Sequence, residues 1–188
     1  MYNNKGKRTP PDAAEGSCMI HLAELTHDQI ITIYHEHMHK DFPPAEMHRL
    51  KTILKWVNLG RYACYGLFSD DELVGYVFLE RVENNYLVDY IATFPELRNH
   101  GLGAKLIELL VEKLKGADSV IGEVEDPDFA ETDDVRSLRT HRLGFYTRNG
   151  VIDTGVKVSF FGVHYILVEF PVGPLHSPEE IKSIWERY

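Results

Sequence analysis

The densest chemistry in the chain lies in Arg98-Asn99-His100-Gly101-Leu102-Gly103-Ala104. Arg98, His100 and Lys105 bring positive charge to a turn with two glycines, which accept backbone angles or close approaches that a side chain forbids. The helix expected to follow has no acidic residue in its first turn, so its unpaired N–H groups and partial positive charge are left for an anion. A phosphate-bearing ligand is the expected partner. Spacing separates the motifs that share this physics. A nucleotide triphosphatase loop needs Gly-Lys-Ser or Gly-Lys-Thr, and the chain offers neither. A dinucleotide fingerprint needs a third glycine where Leu106 stands, so that match is only partial.

Three carboxylates compete for the role of a base. Asp89 interrupts an otherwise apolar run over residues 86–94, where burial would lift its pKa toward neutrality. Simple alternation gives it the same face as Leu87, Ile91 and Thr93. Glu123 and Glu125 share one face of a later strand and could flank a bound group. Asp89 is the first choice and Glu123 the second; a water relay, or a purely structural role for all three, is the alternative. The ten histidines invite a metal reading, because His35-Glu36-His37-Met38-His39 contains His-Glu-x-x-His. A zinc hydrolase also needs a third ligand, whereas this segment runs at once into Asp41-Phe42-Pro43. No metal is expected.

These groups need a scaffold that alternates strands and helices. The phosphate-type loop follows the β-branched and aromatic run 86–94 and opens a helix with Leu102, Leu106, Leu109, Leu110 and Leu114 on one face. Before it, a first strand is expected over 18–23, then a helix capped by Thr26 with Gln29 placed to reach back. A second helix is expected from Pro44 to about Gly60, and strands over 62–68 and 73–81 are joined by a turn at 69–72. After the glycine-loop helix come a strand over 119–125 and a helix through Phe145-Tyr146 that stops at Asn149-Gly150. Residues 151–153 and 157–170 supply the remaining strands, and Ser177-Pro178-Glu179-Glu180 caps a terminal helix. The organisation read from this is a disordered leader over 1–17, one domain over 18–175 and a C-terminal helix over 176–188.

Arg-x-x-Gly-x-Gly followed by a small residue resembles the coenzyme A pyrophosphate loop of the GCN5-related N-acetyltransferases (GNAT). Leu143-Gly144-Phe145-Tyr146-Thr147-Arg148-Asn149-Gly150 resembles that family's later motif, and the order of elements is similar across nearly the whole chain. The resemblance implies an α/β (mixed α+β) fold with a mostly antiparallel central sheet splayed between its fourth and fifth strands. Acetyl-coenzyme A would lie in the opening, its pyrophosphate held by Arg98, Asn99, His100, Gly101, Leu102, Gly103 and Ala104. Ile91, Ala92 and Thr93 would line the donor, with a backbone N–H near Ile91 or Thr93 facing the developing oxyanion. Tyr146 would be the general acid for the departing thiolate; its alternative is a core aromatic with a tethered hydroxyl. The chain departs from some members of the family where an acidic residue stands two positions before Asp89, here Leu87. Asp41-Phe42-Pro43-Pro44-x-Glu46 and Glu123-Val124-Glu125-Asp126-Pro127 resemble features of a bacterial subgroup. Asp41, Phe42 and Glu125 are accordingly candidate acceptor-binding residues, a rigid Pro-Pro connection being the equal alternative for the first two.

The expected activity is transfer of an acetyl group from acetyl-coenzyme A to a primary amine of a small molecule or of a protein lysine or N-terminus. An acyl-coenzyme A sensor without transfer is the alternative. At 188 residues, 44% of them hydrophobic, the chain suits one sizeable core. A net charge of −9 argues against nucleic acid and suits a cationic acceptor. Cys18 and Cys64 are too few for a disulfide framework, and no apolar run is long enough for a membrane span, so a cytoplasmic location is expected. A homodimer is compatible with these features.

Overall fold

The local signals that start each helix are satisfied as the sequence spells them. In the computed structural model, which describes residues 19–188, the Thr26 hydroxyl accepts from the Gln29 N–H while the Gln29 side chain accepts from the Thr26 N–H, opening α1 (His27–Ile33). Ser177 and Glu180 close the same reciprocal pair at α6 (Pro178–Trp185). The expected leader over 1–17, and Cys18, lie outside the described residues.

Between these ends run β1 (Ile20–Glu24), then α1, a π-helical turn over Tyr34–Met38 and the short α2 (His39–Asp41). They are followed by α3 (Leu50–Asn58), β2 (Tyr62–Ser69), β3 (Glu72–Val82), β4 (Asn85–Thr93) and α4 (Leu102–Lys113). The chain ends with β5 (Ser119–Glu125), α5 (Asp133–Arg148), β6 (Ile152–Phe160), β7 (Val163–Glu169) and α6. The strands form one sheet in the order β1-β2-β3-β4-β5-β7-β6. Neighbours are antiparallel except β4 and β5, which are parallel and therefore need the α4 crossover.

That parallel pair is the feature that makes a site. Its register runs only from Asn85↔Ser119 to Val88↔Gly122, after which the two strands no longer pair with each other, β4 continuing to Thr93 against β3 and β5 to Glu125 against β7. The sheet is splayed between its fourth and fifth strands.

Apolar packing covers both sheet faces. Leu106, Ile107 and Leu110 of α4 bury against Leu79, Val88, Val120 and Val124. Ile30 and Ile33 of α1 and Ile53 of α3 bury with Tyr62, Tyr76, Phe78 and Tyr90. A third cluster joins Ile181 of α6 to Ile121, Val158 and Leu167, with Trp185 and Tyr188 packed on it.

Three sequence expectations are corrected. The helix expected from Pro44 is a 3-10 turn over Pro44–Glu46 followed by an extended Met47, and α3 starts only at Leu50. The Tyr90 hydroxyl explains the break: it donates to the Glu46 carbonyl (2.8 Å) and accepts from the His48 N–H (2.9 Å), engaging groups that a continuous helix would pair internally. Residues 157–170 contain a hairpin turn at Phe161-Gly162, both in the left-handed region (φ 47° and 82°), a turn without the usual Asn-Gly or Asp-Gly signal.

The third correction concerns parity. Between Phe78↔Tyr90 and Leu79↔Val88, β4 carries one extra residue, Asp89. This β-bulge flips the alternation. Val88 and Ile91 pack on the α4 side while Tyr90 and Ala92 pack on the α1/α3 side, so Asp89 no longer shares a face with Ile91 and Thr93.

Candidate active site

The site is built at the splay. Asp89 is the first residue of β4 beyond the last paired position, and Glu123 is its counterpart on β5. Asp89 Oδ2 accepts a hydrogen bond from the Tyr62 hydroxyl and lies 3.5 Å from His48 Nε2. Its side chain keeps 22% of its exposure. Burial pushes its carboxyl up to about 7, the Tyr62 bond pulls it down, and the charges of Glu80 and Glu123 add to the rise. Such a group changes protonation state near neutrality, as a base for an amine must.

Glu123 Oε1 accepts from Trp185 Nε1 at 2.5 Å, which ties the C-terminal helix to the splay. Burial raises its pKa as well. Glu125, two residues on, is neutralised by Arg139 (2.7 Å) and Arg142 (2.8 Å) of α5. Sequence reasoning placed Glu123 and Glu125 together; the structure gives one a neutral donor and the other two cations.

The glycine loop forms the other side. Gly101 is the N-cap of α4 with φ +79°, a conformation L side chains rarely adopt, and Asn99 is also left-handed (φ 67°). The first turn of α4 holds no acidic residue and no capping side chain. The N–H groups of Leu102, Gly103 and Ala104 have no acceptor among the described residues. Arg98 lies beside them, its Nη2 on Asp41 Oδ1 at 2.7 Å and its Nε donating to the Thr93 carbonyl at 3.3 Å. His100 Nδ1 sits 3.3 Å from the Leu97 carbonyl, and Lys105 pairs with Glu108.

The Asp41 side chain is 3% exposed, and Tyr76 donates to its second oxygen at 2.9 Å, so both carboxylate oxygens are engaged within the protein. Asp41 joins the end of α2 to the glycine loop. Phe42 meets the Tyr90 ring edge-on at 5.0 Å, on the same side of the sheet as Tyr62.

Along β4, the Phe94 N–H bonds to Val74 of the preceding chain segment (3.1 Å). Strand alternation then turns the peptide groups of Ile91 and Thr93 toward the unpaired edge and those of Ala92 toward β3. The Arg98 contact with the Thr93 carbonyl agrees with that direction.

Tyr146 sits near the end of α5, edge-on to Phe145 (5.5 Å) and to Phe170 (6.2 Å). Phe170 in turn packs where a β-carbon on Gly122 would point, at the last paired residue of β5. This chain of contacts places Tyr146 by the splay on the α4 side. Its hydroxyl has no hydrogen-bond partner among the described residues, and burial pushes its pKa up to about 12, keeping the proton on. Phe145 fills the space in front of Gly103, so the two sequence motifs are one packed unit.

His35 and His39 both meet the Tyr34 ring edge, and His37 stacks on Phe94 at 3.8 Å. No group of three or more metal-ligating residues forms among the described residues.

Sequence reasoning missed Tyr62, His48 and Trp185. A tyrosine in an apolar strand signals a hydroxyl in search of a partner, but nothing in one sequence says that the partner is Asp89. No helix among the described residues is long and apolar enough to cross a membrane.

Comparisons with known proteins agree with this geometry. The chain resembles solved structures of one fold: a GNAT-family protein from Bacteroides thetaiotaomicron (24% identity, TM-score 0.69, 88% of this chain and 94% of that one). The ribosomal-protein-S18-alanine N-acetyltransferase of Escherichia coli matches at 19% identity and TM-score 0.57 over 84% of this chain and 97% of that one. An aminoglycoside 6'-N-acetyltransferase complexed with coenzyme A matches at 14% identity and TM-score 0.58 over 83% and 99%. A search of curated protein sequences gives no significant match. The model of the acetyltransferase (GNAT) family matches residues 28–145, more than half of the sequence, and the chain belongs to that family.

Proposed function

We propose that the protein transfers an acetyl group from acetyl-coenzyme A to a primary amine, with Asp89 as the base and Tyr146 as the acid. The observation that carries this reading is the placement of Asp89 at the first unpaired position of the splay, with a pKa of about 7. The residues present fit the donor. Free N–H groups at the start of α4, the positively charged Arg98 and Lys105, and the glycines suit a pyrophosphate. Asn99, His100, Leu102, Gly103 and Ala104 complete that cradle, and Ile91, Ala92 and Thr93 line the opening. The fold relative that acts on aminoglycosides was crystallised with coenzyme A, which supports the same use here.

Acetyl-coenzyme A supplies an acetyl group already activated as a thioester. The protein's part is to manage protons and charge. An ammonium acceptor gives up two protons in all: Asp89 takes the one that frees the nitrogen lone pair, and the second balances the proton that Tyr146 gives to the leaving sulfur. A peptide N–H of Ile91 or Thr93, turned to the unpaired edge, meets the negative charge that develops on the carbonyl oxygen. Glu123, held by Trp185, is the reserve base and adds negative potential that favours a cationic acceptor.

Asp41, Phe42 and Glu125 border the acceptor side. Asp41 acts there by fixing Arg98 and Tyr76, and Glu125 by fixing α5. Acceptors consistent with this surface are small cationic amines and protein lysines or N-termini. We further infer a cytoplasmic location, in keeping with the free, buried Cys64 thiol.

The test is thiol release from acetyl-coenzyme A across a panel of primary amines, run beside a coenzyme A binding titration. Saturable, amine-dependent release supports transfer. Tight binding without release across the panel would move the reading to an acyl-coenzyme A sensor.

A further inference from the structure

We propose that His48 is the proton exit for Asp89, passing to solvent the proton that the carboxylate takes from the amine. This rests on the reading of Asp89 as the base. His48 Nε2 lies 3.5 Å from Asp89 Oδ2, and its side chain is 40% exposed against 22% for Asp89, so it stands between the carboxylate and water. The other neighbours lead nowhere. Tyr62 touches the same oxygen but is buried in the α1/α3 core. Glu123 is stoppered by Trp185.

His48 is also held in place. Its backbone N–H donates to the Tyr90 hydroxyl (2.9 Å), which donates onward to the Glu46 carbonyl, and its ring meets Trp56 edge-on at 5.0 Å. The break between the Pro44 turn and α3 therefore serves to present this imidazole. The titratable groups around the pair are Tyr62 and Cys64 from β2, Glu80 from β3, Tyr90 from β4 and Glu123 from β5. None of these is a cation that would repel a transient imidazolium. Burial lowers the His48 pKa, which keeps the ring neutral and ready to accept at rest.

The step balances. The ammonium loses a proton to the Asp89 carboxylate; the carboxylic acid gives it to Nε2, restoring the carboxylate and forming an imidazolium. The Nδ1–H then goes to water, and exchange with water resets the tautomer. The net product is one proton released to solvent.

Buffer dependence reads this directly. In dilute buffer His48→Ala is expected to lower kcat about tenfold with little change in KM for either substrate, and added imidazole to restore the rate saturably. The wild-type rate is expected to be independent of buffer concentration. An unchanged kcat, or a loss that imidazole does not repair, overturns the relay. Histidine ¹⁵N spectra of the wild type and Asp89→Asn give a readout without an acceptor. The expectation is a resting Nδ1–H tautomer whose His48 titration shows a second step near that of Asp89, lost in the variant. A single step unaffected by Asp89→Asn overturns the coupling even in a protein active on amines. Absence of thiol release across the amine panel, with the two-step titration intact, would instead count against the transferase reading alone.

Discussion

The ring of Phe145 occupies the space where a β-carbon on Gly103 would stand, 2.9 Å from its Cζ. The glycine loop and the Phe-Tyr motif, with 42 positions between Gly103 and Phe145, are thus pressed together, and the start of α4 is set by the end of α5. Gly103→Val must push Phe145 aside or tilt the α4 N-terminus away from its ligand. Coenzyme A affinity is expected to fall about tenfold or more by calorimetry, since close packing transmits even methyl-sized changes. Gly101→Ala has open space but a left-handed backbone, so its cost is expected in stability first.

Tyr146 is half-buried, its hydroxyl has no hydrogen-bond partner among the described residues, and burial pushes its pKa up to about 12. Tyr146→Phe keeps the ring contacts with Phe145 and Phe170 and removes only the donor. Steady-state kinetics should show kcat lower by about 10²-fold with KM for acetyl-coenzyme A unchanged. A tyrosine serving packing alone would leave kcat intact.

Asp41 is the buried link between Arg98 and Tyr76. Asp41→Ala leaves the Tyr76 hydroxyl without its acceptor, a loss of about 1–3 kcal/mol expected in a urea melt. It also frees Arg98, so coenzyme A binding should become more sensitive to salt.

The raised pKa of Asp89 makes its contribution to stability depend on pH. Its folded pKa of about 7 lies above an unfolded value of about 3.9, so between those values the folded chain holds a proton that the unfolded chain has released. Stability from this group is therefore present at low pH and lost as pH rises through about 7. Asp89→Asn is expected to raise the denaturation midpoint at about pH 8 and change it little at about pH 4.

Much of this architecture is legible from residue types. Thr26 with Gln29 and Ser177 with Glu180 announce their helices because capping is local, and the strand over 119–125 is found where its apolar run lies. Expectations failed where a distant hydroxyl outcompeted local propensity: Tyr90 breaks the helix expected from Pro44. They failed again at the bulge, where one extra residue redirects Asp89 without any compositional mark. The start of α4 after the glycine loop, with no acidic or capping side chain in its first turn, could be read because helix termini carry local signals. Trp185 on Glu123 and His48 beside Asp89 could not, since 62 and 41 positions of chain separate partners that only the tertiary fold brings together.

The central claim is that Asp89 removes the proton from the acceptor amine. Its most direct test is the pH profile of kcat/KM for the best amine of the panel, in the wild type and in Asp89→Asn. The wild type should rise with pH through a midpoint near 7, as the carboxyl ionises. Asp89→Asn should lose about 10²–10⁴-fold at the plateau together with that limb. Overlapping profiles of equal height in the two proteins would contradict the account and return the role of base to Glu123 or to water.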